Sequence, residues 1–393
     1  MSKIGEPTRD VFESGRRGLS HVGVRRANER TVLTVVGFNA GVSNAEISRL
    51  SGLAPQTVSA ILVDLEREGL ILRGPVLRGR RGQPATPIML DPDGGFAIGI
   101  EVGWRHMDVV LLNMHAQVLA RHHVDYAYPD GATLVDTIAT VIEQFTGGLR
   151  PEQRARLMDL GLAMPGDLAA GLDALGAPAE QIALWQELDL VAALGARTGL
   201  AITRLNDGNA GCWAELIALA PPRPANIIYV LVSHFIAAGI VGDGALWEGP
   251  TGNAAELGAM LVNPAGGRPQ LAHRIASIWA LRNSLDAAGH DAGAMPARDL
   301  DPDLAGAAGW MNTTAQALAQ VLFNANTVVE QPLVIIDTVL APAVSARLAG
   351  LVEAEMARLP SRPHGAPRVI AGQLGGLAPA IGAAELPLFR RYF

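Results

Sequence analysis

Residues Ser43–Gly69, SNAEISRLSGLAPQTVSAILVDLEREG, decide how the rest of the chain is read. Ser43 and Glu46 stand in the S-x-x-E spacing of a capping box, which satisfies free backbone donors at a helix start. Gly52 suits the tight turn that follows. Pro55 suits the first position of a second helix, where its missing N–H costs nothing. Val58, Ile61, Leu62 and Leu65 recur at i, i+3, i+4 and i+7, so that helix has one apolar face. Pro55, Gln56, Thr57, Ser59 and Ala60 fall at its start on the other faces. They are short enough to let a helix enter a major groove. Gly69 closes the helix.

The flanking chain gives this hairpin of helices a partner. Residues 24–38 (VRRANERTVLTVVGF) predict a preceding helix, with Val32, Leu33, Val35 and Val36 inward. Leu70–Arg73 and Ala85–Leu90 predict two short strands. Between them, GPVLRGRRGQP places Arg78, Arg80 and Arg81 among glycines and prolines. So basic a hairpin tip predicts a wing that reaches phosphates or a narrow minor groove. Residues 24–91 therefore read as a winged helix-turn-helix.

Composition agrees with that division. The chain has 393 residues, 49 % hydrophobic and 18 % charged, enough for several cores. Its net charge of −7 hides an asymmetry: residues 1–90 hold 13 Lys and Arg against 8 Asp and Glu, the remainder 18 against 30. A basic head on an acidic body suits one face approaching a polyanion. The single cysteine, Cys212, excludes an intrachain disulfide and a cysteine-rich zinc site. MSKIGEPTRD has no apolar signal region, and Ile227–Val241 is short for a membrane span, so a cytoplasmic protein is expected. Residues 1–20 read as a loose arm.

After the turn cluster DPDGG (91–95) the pattern becomes α/β. Residues 96–124 read as three strands, Leu134–Phe145 as a helix, and Leu157–Ala163 as an apolar strand ending before Pro165-Gly166. Leu188–Thr198 reads as a helix, Leu200–Leu205 as a strand ending at Asn206-Asp207, with a helix from Ala210. A hairpin is expected over 227–241, helices over 268–330, and a buried strand at Leu333–Asp337. This alternation predicts two α/β lobes around a cleft, with ligands at the carboxyl ends of strands.

The order of elements resembles the ROK family of repressors, open reading frames and sugar kinases. The resemblance rests on GIEVG (99–103), Pro165-Gly166, LWQELDL (184–190), NDGNA (206–210) and GPTGNAAELG (249–258), in that order behind a winged head. It implies a two-lobed body of the actin-like ATPase and hexokinase type, with a head at 1–91, a first lobe at 92–205 and a second at 206–393. It also implies that Asp207 occupies the place of the kinase base, that Glu256 occupies the place of a sugar-binding glutamate, and that Asn206 holds the same ring. A carboxylate at such a place accepts a hydroxyl proton or a hydrogen bond.

The departures from that pattern carry as much. The family's first phosphate loop is of D-x-G-G-T type, and here it reads Glu101-Val-Gly-Trp-Arg105. The second, a G-T-G-I-G turn, is Ser233-His-Phe-Ile-Ala237, in which His234 reads as structural. The adenosine loop is Asp337-Thr-Val339. Bulky side chains obstruct the close backbone approach that phosphate needs. The family's zinc histidine is Ala259, and residues 260–275 hold no cysteine, so neither a metal nor a cofactor is expected. The resulting expectation is a regulator, most simply a repressor, that binds a near-palindromic double-stranded operator as a homodimer or homotetramer and answers to a sugar-like effector. Two alternatives stand beside it: a sugar kinase using Asp207 as base, and a ligand-free regulator whose body only oligomerises.

Overall fold

The computed structural model describes residues 21–39, 41–75, 86–264, 267–293, 295–304, 307, 309–360 and 365–393. The arm at 1–20 and the wing arginines Arg78, Arg80 and Arg81 lie outside them.

The head forms as its local sequence dictates. Helix His21–Phe38 precedes Asn44–Ser51 and Pro55–Arg67. The capping box is present: the Ser43 N–H donates to Glu46 Oε2 at 2.8 Å, and the Glu46 N–H donates to Ser43 Oγ at 3.3 Å. Gly52 turns the chain at φ +71°, where a residue with a Cβ is strained. Val32, Leu33, Ile47, Val58, Ile61, Leu62 and Leu65 are buried together. Strands Ile71–Arg73 and Ile88–Leu90 pair antiparallel at the base of the wing.

The body is built twice on one plan. In the first lobe, strands Phe96–Val102, His106–Asn113 and Val118–Asp125 form an antiparallel meander, and Leu160–Met164 and Ile202–Asn206 join parallel on the other side of the first strand. In the second lobe, Ile227–Val232, Ile236–Gly242 and the short Ala245–Leu246 form the meander, and Leu333–Thr338 and Arg368–Ala371 add in parallel. Numbered along each lobe, both sheets have the order 3-2-1-4-5. Helices Leu134–Gly147 and Leu190–Thr198 lie on the first sheet; Trp310–Val329 and Pro342–Arg358 lie on the second.

Two helices join the lobes. Asp207–Ala218 packs on the second sheet, and the chain returns at its end so that Ala378–Tyr392 packs on the first. Both are rich in glycine and alanine where they cross. A Cβ on Gly382 would lie 1.9 Å from the Ala210 carbonyl oxygen, and one on Gly208 would lie 2.1 Å from that of Ala238. Gly161, on the first sheet, leaves only 1.8 Å to the Ala383 oxygen. The absence of side chains thus sets how closely the lobes approach.

The head is not tethered loosely. Its core is continuous with the apolar side chains around Ala378–Tyr392. Phe38 packs edge-on against Phe389 and Phe393, with ring centroids 6.3 and 5.9 Å apart, and the Arg223 guanidinium lies 5.3 Å from the Phe38 centroid. Arg30 donates to the Arg390 carbonyl at 2.8 Å, and Arg156 donates to those of Gly69 and Asp93 at 2.8 and 3.0 Å. The same terminal helix that sets lobe spacing therefore carries the head.

Candidate DNA interface and effector cleft

Helix Pro55–Arg67 presents Pro55, Gln56, Thr57, Ser59 and Ala60 to solvent, with Val63 and Arg67 continuing the exposed face. Ser59 Oγ accepts from Asn44 Nδ2 at 2.9 Å and donates to the Pro55 carbonyl at 2.9 Å. It therefore fixes the start of this helix against the one before it, a role that spacing alone does not reveal. Asp64 pairs with Arg67 at 2.7 Å and also with Arg25. Gln56 and Thr57 are thus exposed in the first turn of this helix.

The body's cleft lies where the carboxyl ends of the strands meet. Asn206 caps helix Asp207–Ala218 by accepting from the Asn209 N–H at 3.1 Å. Asp207 is buried and faces a cavity of only about 20 Å³, shared with Glu101, Trp104, Arg105, His234 and Arg282. Glu256 is exposed before the turn Leu257–Ala259 and does not line that cavity. The loop preceding it does reach the cleft: Asn209 Nδ2 donates to the Gly252 carbonyl at 3.1 Å, and the Asn253 side chain abuts Gly166. The segments Pro165-Gly166, 206–210 and 249–256 thus converge.

Aromatic side chains fill the region between the two hairpin turns. The Trp104 ring meets Phe235 edge-on at 5.0 Å and lies so close to Gly171 that a Cβ there would fall 2.1 Å from it. His234 meets Phe235 edge-on, with ring centroids 4.8 Å apart. Burial, then the cations Arg105 and Arg282, push the His234 imidazolium down to about 3, so the ring is neutral. Gly372 is pressed against the buried Asp337.

Burial, and then the neighbouring Glu101, push the Asp207 carboxyl up to about 7 from an ordinary 3.8. The folded state therefore holds a proton that the unfolded chain releases earlier. This contribution to stability is complete below about pH 4 and is lost as pH rises through about 7. Asp207→Asn should flatten that part of the stability profile. Urea unfolding on either side of neutrality checks this, and an unchanged slope would mean that the carboxyl is solvated.

Sequence reading missed a cluster beside Asp207. Glu101 and Asp108, each 2 % exposed, lie with His106 and His123 on one face of the first sheet. Burial alone would lower the His106 imidazolium, but Glu101, then Asp108, more than offset it and raise it to about 9. The signal was available: His106-x-Asp108 and Arg121-x-His123-x-Asp125 alternate at period two.

The arrangement defines a two-lobed actin-like body bearing a winged helix-turn-helix head. The ROK family model matches residues 97–388, and a winged helix-turn-helix DNA-binding model matches residues 25–71. The chain belongs to the ROK family. It is 25 % identical over 244 residues to the xylose repressor of Bacillus spizizenii, covering 61 % of this chain and 62 % of that protein. It is 24 % identical over 249 residues to the DNA-binding transcriptional repressor Mlc of Escherichia coli, covering 62 % and 60 %. The chain thus matches about three-fifths of the length of these relatives. Among solved structures, a ROK family transcriptional regulator described as a homologue of the E. coli protein superposes with a TM-score of 0.66 at 20 % identity, over 93 % of this chain and 97 % of the other. A ROK family glucokinase from Streptomyces griseus gives 0.58 at 21 %, over 74 % and 99 %. Among the described residues no helix is long and apolar enough to cross a membrane.

Proposed function

We propose that this chain is a cytoplasmic, sequence-specific DNA-binding repressor whose body senses a sugar-like effector. The observation that carries the reading is the exposed face of helix Pro55–Arg67 on a head whose core runs unbroken into the helix that joins the lobes. Pro55, Gln56, Thr57, Ser59 and Ala60 read the major groove, and Arg78, Arg80 and Arg81 contact the backbone or minor groove. Two heads of a homodimer or homotetramer meet the half-sites of a near-palindromic duplex. Repressors named for xylose and a repressor of N-acetylglucosamine are among the relatives, which supports a carbohydrate as effector. Asn206, Asp207 and Glu256 are the residues that hold it. Glu256 is exposed and must come inward to do so. An effector favouring one lobe spacing shifts the head through Ala378–Tyr392, a difference in affinity between two arrangements.

The same chain is read as having no kinase activity. The packing of Trp104 against Phe235 and of Gly372 against Asp337 supports this reading. Calorimetry with ATP and magnesium is expected to give no saturable binding, whereas a sugar library is expected to yield a ligand that raises Tm and weakens operator binding, both effects being lost in Asp207→Ala. Micromolar ATP binding would return the chain to the kinases; no stabilising sugar at millimolar concentration would leave a body that only oligomerises.

A further inference from the structure

The buried cluster on the first sheet has the form of a metal site. Three adjacent strands place Glu101 directly across from Asp108 and Asp108 directly across from His123, with His106 two residues before Asp108 on the same face. The register therefore gathers two carboxylates and two imidazoles. His106 Nε2 lies 3.3 Å from Glu101 Oε1 and 4.0 Å from Asp108 Oδ2, and His123 Nδ1 lies 3.0 Å from that same Asp108 oxygen. One ligand atom each from Glu101, His106 and Asp108 fits within 4.8 Å of the others. A tetrahedron with bonds of about 2.0–2.2 Å has ligand atoms roughly 3.3–3.6 Å apart; His106 Nε2 and Glu101 Oε1 stand at that spacing, while His123 lies outside the group of three and hydrogen-bonds Asp108.

A second observation points to a missing partner. The Glu101 side chain is 3 % exposed, and its Oε2 has no hydrogen-bond partner. An unpartnered buried carboxylate oxygen is costly, and a cation relieves it. The opposite side of the cluster is reachable: a cavity of about 550 Å³ opens onto His106, Asp108, His123 and Asp125. Arg121 holds the other Asp108 oxygen at 2.9 Å, orienting the carboxylate as a neighbour of a metal ligand does. Arg298, from the second lobe, reaches Asp125 at 2.8 Å at the rim of that cavity.

We propose that Glu101, His106 and Asp108 bind one divalent transition-metal ion, zinc by preference, with a water completing the shell and His123 orienting Asp108, without any nucleotide. The ion bridges the first two strands of the first lobe, and through Asp108 and His123 it bears on the Arg298–Asp125 contact between lobes.

The test uses the full chain, stripped with a chelator and titrated with zinc chloride by calorimetry and thermal unfolding. One equivalent per chain and a raised Tm are expected. Asp108→Asn and His106→Gln should weaken binding by roughly 100-fold or more, since even outer-shell changes cost 10–100-fold. His123→Gln, at the more exposed edge, should weaken it while leaving the fold intact, and His122→Gln should not. Cobalt(II) should give the visible bands of a four-coordinate site in the parent and lose them in His106→Gln. Sub-stoichiometric zinc in the parent would overturn the proposal. So would unchanged affinity in a folded His123→Gln, or equal loss in His122→Gln. None of these outcomes depends on DNA or sugar binding.

Discussion

Alanine at Gly161 or Gly382 is expected to destabilise the protein by about 3 kcal/mol or more, at the upper end of what overpacking costs. The added methyl would lie 1.8 Å from the Ala383 carbonyl oxygen in one case and 1.9 Å from that of Ala210 in the other. Both obstacles are backbone atoms of the helices that join the lobes, so no side-chain rotation clears them. The sheet and two helices must separate, and the loss spreads along a tightly packed seam. Gly52→Ala is the control. Its φ of +71° opposes a Cβ, but nothing lies within 4 Å of the added methyl, so about 1–2 kcal/mol is expected from backbone conformation alone. Urea unfolding of the three variants separates the effects. Equal midpoints for Gly382→Ala and the parent would show that the lobes are not held at this spacing. A variant that folds but has shifted lobes should also bind DNA abnormally, because the head rests on the same terminal helix.

The head was legible in the sequence because its determinants are local. The capping box at Ser43 and Glu46, the left-handed Gly52, Pro55 at a helix start and the 58-61-62-65 spacing each act within one or two turns, and each stands in the structure as its chemistry requires. The meander of the first lobe was also legible, and Asp207 and Trp104 line one small cavity. The repeated sheet order and the closeness of Gly382 to Ala210 were not, because they depend on contacts between residues far apart in the chain. The cluster at Glu101, His106, Asp108 and His123 lay between these cases. Its alternation was visible, but only cross-strand register brings the three strands' side chains together. By resemblance alone, Glu101 is the remnant of a phosphate loop and nothing more. Glu256 shows the converse: a residue assigned by resemblance lies exposed, and its loop reaches the cleft through Gly252 and Asn253 instead.

Ala60→Glu is expected to abolish operator binding at concentrations where the parent saturates, a loss of 100-fold or more. The position is exposed on helix Pro55–Arg67, so stability should change by no more than about 0.5 kcal/mol. On the proposed interface a carboxylate there would face phosphates at close range, and such like-charge juxtaposition costs several kcal/mol, at 1.4 kcal/mol per tenfold in affinity. Gln56→Ala and Thr57→Ala remove donors and acceptors without adding repulsion and should cost about 1–3 kcal/mol each, mainly against the preferred sequence. Arg80→Ala and Arg81→Ala should differ in kind: binding weakens on every duplex, and the slope of log affinity against log salt falls by about 1 for each phosphate that is no longer neutralised. Duplexes selected from a random pool by the full chain, followed by salt-dependent binding of each variant, distinguish base reading from backbone contact. If Ala60→Glu binds the selected duplex as tightly as the parent, this helix face is not the contact. If Arg80→Ala and Arg81→Ala keep the parent's salt slope, the wing stands off the backbone, and the +5 charge of residues 1–90 acts only through long-range steering, which speeds encounter without fixing register.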